Sequence, residues 1–372
     1  MSSVRILHTA DFHMDSPFEA LSSSKAAARR RELRQLPGKI ARIAVKEKVD
    51  MIMLSGDILD SDSFFAETGE ELFGVLGNLP MPVFIAPGNH DYFGPKSPYA
   101  RTDLPANIYI FSGNQIEFFD FSELGFRVFG AAFTDKSAPS LLRRFTHEKK
   151  DGVIDVMCIH GEVVAKSGES KYNPVTVEQI EASGMNYIGF GHNHSYSGLK
   201  KAGKTFYSWP GCPEGRGFDE TGIKSVNIVD ISESDCSIHP VAVSSRIYED
   251  LDIDVTDRDP LLAVQMDLPD ETVRDIYRIT LKGETYSPID LTSLADNLSQ
   301  YFFELVLRDK THIRSDIWER AGDDTLCGTF LAKMRVLYDD AKTDSDKLKI
   351  EKAVRWGIAA LENREEVVRH EN

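Results

Sequence analysis

Cysteine is scarce in this 372-residue sequence. The four thiols, Cys158, Cys212, Cys236 and Cys327, are far apart and form no Cys-x-x-Cys pair. That argues against a disulfide framework and a thiolate zinc site, and leaves buried or inert thiols as the expectation. Long apolar runs are absent too. None approaches the roughly 18 residues that would span a bilayer, and residues 1–10 lack the charged-then-apolar pattern of a signal peptide. The expectation is therefore a cytoplasmic protein without membrane contact. Internal repeats and low-complexity segments are lacking, which excludes solenoids and tandem arrays. Positive charge is also in short supply. Lys and Arg number 43 against 59 Asp and Glu, a net charge of -16. Residues 1–245 carry 31 acids and 25 bases, and residues 246–372 carry 28 and 18. A general nucleic-acid coat would be basic, so contact with DNA would need a local patch or a partner.

The composition, 41% hydrophobic and 27% charged, is that of a globular protein. Five short apolar runs read as buried strands, and each ends in a polar group able to bind metal. Val4 to Thr9 runs into Asp11 and His13. Asp50 to Ser55 runs into Gly56-Asp57. Pro82 to Ala86 runs into Gly88-Asn89-His90-Asp91. Ile154 to Ile159 leads to His160-Gly161, and Asn186 to Phe190 to Gly191-His192-Asn193-His194. Helices are expected over Arg29 to Lys48, with a kink or break at Pro37, over Glu70 to Leu79 and over Val175 to Ser183. Strand–helix alternation gives an α/β core, where ligands gather at the carboxyl ends of strands. One such motif has little meaning, because a lone His more often packs than binds. Five in order, holding five of the ten histidines, point to a site.

Asp, Asn and His without Cys suit a hard or borderline divalent ion. Two ions about 3.5–4 Å apart are the usual arrangement for phosphoester hydrolysis, and they need a bridging ligand. Asp57 is the best candidate, because Gly56 lets the backbone come close. Asp11 and His13 can converge on one ion, Asn89 and His160 on the other, with His192 and His194 divided between them. A water bridging the ions would be the nucleophile. His90, beside Asn89, is free to serve as general acid. Asp91 either orients His90 or caps the next turn. His8 falls inside a core strand and reads as structural. Arg29, Arg30, Arg31 and Arg34 form the densest basic cluster, which is either a grip for a phosphate backbone or a solvated helix face.

Asp-x-His, Gly-Asp, Gly-Asn-His-Asp, His and Gly-His-x-His, in this order, resemble the calcineurin-like metallophosphoesterases. The likeness covers the first two thirds of the chain. It implies a four-layer αββα sandwich and a metal-dependent phosphoester hydrolase. The opening His8-Thr9-Ala10-Asp11-Phe12-His13-Met14-Asp15-Ser16-Pro17-Phe18 and the segment from Pro210 to Glu220 look like the SbcD-like DNA repair exonucleases, specifically the YhaO branch. By that resemblance Asp11, His13, Asp57 and His194 hold one ion, and Asp57, Asn89, His160 and His192 the other. His90 matches the catalytic histidine, and Arg216 joins the arginine cluster as a candidate for substrate contact. The resemblance further implies two manganese ions (with magnesium, iron or zinc as alternatives), DNA as substrate and an SMC-like coiled-coil ATPase as partner. A homodimer is one open arrangement, which the sequence does not decide. The competing functions are hydrolysis of small phosphodiesters and a non-enzymatic DNA-end scaffold.

The expected organisation is a phosphoesterase domain over 1–245, a small α/β cap over 246–322 and a helical segment over 323–372. Strands are expected at Ile247 to Val255, Ile276 to Lys282 and Phe302 to Leu307, and helices at Leu261 to Met266 and Leu291 to Tyr301. The apolar stripe Leu326, Phe330, Leu331, Met334, Leu337 and Tyr338 marks a helix that either packs internally or docks the ATPase. A last helix, capped by Asp344 or Ser345, follows it.

Overall fold

A computed structural model describes residues 3–60, 66–100, 103–166, 170–286 and 288–361. The chain divides into two compact units, residues 1–247 and 248–372. Among the described residues no helix is long and apolar enough to cross a membrane.

The first unit is built on two six-stranded sheets. One runs, in spatial order, through Cys236–Ala242, Ser225–Ser232, Ser3–Thr9, Met51–Leu54, Val83–Ile85 and Ile108–Ile110. The other runs through Lys200–Ala202, Thr205–Ser208, Tyr187–Gly191, Ile154–His160, Phe126–Gly130 and Glu117–Phe121. The central strands are parallel to their neighbours. They are apolar on both faces because both faces are covered. The layers follow from the alternation of side chains. Leu7, Ile52 and Leu54 point outward, onto Leu36 and Ile40 of helix α1 (Ser23–Glu47) and Leu72 of α2 (Ala66–Gly77). Their neighbours Ile6, Met51 and Met53 point inward, against Val128, Val156 and Tyr187 of the second sheet. Met157, Ile159, Ile188 and Phe190 face out again, onto Ile180 of α3 (Val177–Ser183). That is a helix–sheet–sheet–helix sandwich.

Pro37 neither breaks nor ends α1, which runs unbroken through it with Pro37 itself buried. The helix also begins six residues before the expected start. The reason for burial is periodicity: Leu33, Leu36, Pro37, Ile40 and Ala44 share the face that covers the sheet. All four cysteines are free thiols, and Cys158, Cys212 and Cys236 are buried.

The second unit carries a parallel three-stranded sheet of Tyr248–Asp254, Ile276–Lys282 and Glu304–Asp309. Helices α4 (Pro260–Asp267) and α5 (Leu291–Leu298) connect these strands and cover them with Val264, Leu294 and Leu298. Two longer helices follow, α6 (Leu326–Asp340) and α7 (Asp344–Leu361). Leu331, Val354 and Ile358 join them to Ile313 and Ile317. Arg355, buried, donates to Thr285 and Thr311, while Glu351 accepts from Tyr338 and Ile313 N. Internal packing therefore takes one face of each helix. Leu326, Val336, Leu337 and Trp356 stay exposed. Residues 362–372, which include the last part of the expected helical segment, lie outside the described residues.

Candidate metal centre

The seven expected ligands come from five strand ends. Asp11 and His13 follow Ser3–Thr9, Asp57 follows Met51–Leu54, and Asn89 follows Val83–Ile85. His160 ends its own strand, and His192 and His194 follow Tyr187–Gly191. The folding brings them into overlapping groups. Ligand atoms of Asp11, His13 and His194 lie within 4.8 Å of one another, as do those of Asp57, His160 and His192. A third such group joins His13, Asp57 and His90. Asp57 connects the two halves: its Oδ2 is 3.3 Å from His160 Nε2 and 3.8 Å from His13 Nε2.

The backbone is distorted where these residues sit. Asp11, His13, Asp57 and His192 have φ of 57°, 46°, 52° and 96°. Non-glycine residues seldom adopt such angles, and they cluster where function over-determines the chain. Close approach is enforced by glycine. At Gly56 (φ 88°) a Cβ would meet the His160 ring, and at Gly88 it would strike the Asp57 carboxylate.

Hydrogen bonds fix which nitrogen each ring offers. His160 Nδ1 lies 2.9 Å from the Ser55 carbonyl, an acceptor only, so Nδ1 carries the hydrogen. Its Nε2 lone pair then faces Asn89 Oδ1 at 3.1 Å and Asp57 Oδ2 at 3.3 Å. Three acceptors meet there, and only a cation or an added proton reconciles them. His194 repeats the pattern. Its Nδ1 is 2.6 Å from Glu220 Oε1, and its Nε2 faces His13 Nε2 at 3.3 Å. Such carboxylate–histidine pairs orient metal ligands and raise their basicity. His13 Nδ1 is buried without a hydrogen-bond partner, so its Nε2 is the atom presented to the group. The donor set thus fits a pair of divalent ions: carboxylate, amide oxygen and imidazole, oriented and convergent.

Proton affinities reflect the same crowding. Burial pushes Asp11 up to about 6. Burial and the Arg216 guanidinium bring His13 down to about 3, and burial with the nearby His160 brings His192 to about 4. His160 moves the other way, to about 9: burial opposes its charge, but Asp57 and Asp11 outweigh it. Asp57 is held well below the usual carboxylate range despite burial, by His160 and His13.

Two expectations need correction. Asp91 does not orient His90. Its buried carboxylate accepts from the backbone N–H groups of Asp57, Ile58, Leu59 and Gly88 and from Tyr99 Oη, which pins the Asp57 loop to the Gly88 loop. The partner of His90 is Asp60, with Oδ1 3.3 Å from His90 Nδ1. That hydrogen bond raises the His90 pKa. Arg29 does not face substrate either. It is fully buried, paired with Glu32 and Glu214 and donating to Gly215 O. An unpaired guanidinium could not be buried there at acceptable cost. Arg30 donates to Pro17 O, Arg34 pairs with Asp15, and Arg31 is exposed. Arg216 sits at the centre, against Glu220 and His194. Sequence reasoning passed over Asp60 and Glu220. His8 is structural, buried between the sheets on Tyr187 Oη and Ser55 Oγ.

The family model of calcineurin-like phosphoesterases matches residues 4–196, more than half of the chain, a span that includes every candidate ligand above. This chain belongs to that family. The phosphoesterase is also similar to the uncharacterized metallophosphoesterase YhaO of Bacillus subtilis, with 25% identity over 273 residues. That match covers 71% of this chain and 66% of the relative, slightly less than two thirds of the relative's length. Among solved structures, TT1561 of Thermus thermophilus is 13% identical, with a TM-score of 0.40, over 64% of this chain and 99% of that one. A dimetal phosphatase from Danio rerio is 11% identical, also with a TM-score of 0.40, over 63% and 98%.

Proposed function

We propose that this phosphoesterase hydrolyses phosphodiester bonds of DNA with two divalent metal ions, working at DNA ends beside an SMC-like coiled-coil ATPase. The observation that carries the hydrolytic part is the placing of Asp57 between two convergent donor groups. Asp11, His13 and His194 would hold one ion with Asp57; Asn89, His160 and His192 would hold the other. When bound, such a pair polarises the phosphoryl group and activates water at neutral pH. Manganese is the proposed ion, in keeping with a donor set of nitrogen and oxygen.

The chain's own residues supply the proton. His90 is half-exposed at the edge of the group, and Asp60 favours its protonated form. An imidazolium there can donate to the departing oxygen. Asp91 and Tyr99 hold the loop that carries it.

DNA as substrate rests on the resemblance of the Asp11 and Pro210–Glu220 segments, and the ATPase on the same footing. The net charge of -16 favours a second reading, a small phosphodiester that needs no basic surface. End-labelled linear duplex DNA with manganese separates them. Nucleotide release that chelation and His90→Asn both abolish supports the nuclease. Hydrolysis of a small diester with intact DNA, with and without the ATPase, supports the second reading.

A further inference from the structure

We infer that a second phosphate-binding site adjoins the metal centre, in a cavity of about 550 Å³ between residues 137–143 and 170–179. The inference rests on the phosphodiesterase reading and extends it to a substrate with more than one phosphate. Three serines, Ser137, Ser140 and Ser170, line the cavity together with Arg143, Lys171 and Gln179. Among the described residues the lining holds no carboxylate, in a chain that carries a net charge of -16. Both cations are exposed, and among the described residues neither forms an ion pair. Most of the described arginines of this protein do: Arg5, Arg29, Arg34, Arg127 and Arg216 each meet a carboxylate. Lys171 Nζ lies 5.7 Å from the centre of the Tyr172 ring, and the Ser140 hydroxyl donates to Gln179 Oε1. Ser137, Ser170 and the two cations, which meet no carboxylate among the described residues, fit a phosphate oxyanion.

The walls are tied to the ligands. Ala138 N donates to Lys171 O, and Asn173 N to Ala138 O, so the two segments pair. The buried Asn173 then accepts from Leu141 N and donates to the His160 carbonyl, at 2.8 Å each. Tyr172 places its ring 5.0 Å from that of His192. Three consecutive residues thus reach the cavity (Lys171), one metal ligand (Tyr172 on His192) and another (Asn173 on His160). A chain of phosphates held at the ligands would reach further cations at Lys171 and Arg143 on that side.

The test uses the full chain loaded with manganese. In a His90→Asn background, which prevents cleavage, a labelled single-stranded oligonucleotide is titrated over a salt series. Arg143→Ala with Lys171→Ala should weaken binding about tenfold. It should also lower the salt slope by about 0.7 for each phosphate that is no longer neutralised. Arg143→Lys with Lys171→Arg should restore most of both. In the otherwise unmodified protein, hydrolysis of bis(p-nitrophenyl) phosphate, which has one phosphate, should be unchanged by the alanine pair. Calorimetry with inorganic phosphate distinguishes the source. If the alanine pair removes phosphate binding but leaves the oligonucleotide affinity alone, the site stands and takes free phosphate. If the parent hydrolyses the small diester, ignores oligonucleotides and loses phosphate binding with the alanine pair, the DNA reading falls and the site stands. If neither oligonucleotide nor phosphate binding responds to the pair, the site is overturned.

Discussion

His90 Nδ1 lies 3.3 Å from Asp60 Oδ1, three residues past Asp57, the proposed shared ligand, and not on its own neighbour Asp91. The arrangement divides the labour of the Gly88-Asn89-His90-Asp91 turn. Asn89 faces the ligands, His90 faces the edge of the site, and Asp91 turns inward to fasten two loops together.

His90→Asn should therefore keep its metal and lose at least about 100-fold in kcat, the usual contribution of a positioned general acid. Metal analysis and steady-state rates on the same preparation check this. His90 lies within reach of His13 and Asp57, so loss of an ion would make it a ligand instead.

Asp60→Asn should move the alkaline limb of the kcat–pH profile to lower pH. The sign follows from the hydrogen bond: Asp60 raises the His90 pKa, and a general acid works only while protonated. An unshifted alkaline limb would remove His90 from that role.

Glu220→Gln should weaken metal binding about 10- to 100-fold, with the fold intact. Glu220 fixes the His194 ring through a 2.6 Å contact with Nδ1, and it is held well below the usual carboxylate range by His194 and Arg216 against the cost of burial. Titration of the metal-free protein with manganese measures the change.

The seven candidate ligands were legible because each follows an apolar run, and a parallel strand delivers its C-terminal residues to one edge. Their helpers were not. Glu220 is one acid in an ordinary turn, 26 residues from His194. Arg29 could have been read correctly: spacings of 4, 7 and 11 to Leu33, Leu36 and Ile40 put it on the buried stripe of α1. Its partner Glu214, 185 residues away, could not have been paired with it. The strands at Ser225–Ser232 and Cys236–Ala242 escaped notice because polar residues interrupt them and they carry no ligand.

Metal-free protein should lose stability as the pH falls from about 6.5, in part through His8. Burial brings this histidine from 6.5 down to about 3, so between those values the unfolded chain binds a proton that the folded one refuses. The stability advantage over a His8→Asn variant should shrink by about 3 kcal/mol between pH 7 and pH 4. Urea unfolding at the two pH values measures it, and an unchanged difference would place a proton on folded His8.

The most direct test of the shared centre is metal content per chain, measured after manganese loading and gel filtration, in the parent protein and in Asp57→Asn. The parent should hold two ions and the variant should lose both, because Asp57 Oδ2 faces His13 on one side and His160 on the other. A variant that keeps two ions, or loses only one, would contradict a bridging Asp57 and with it the two-metal account.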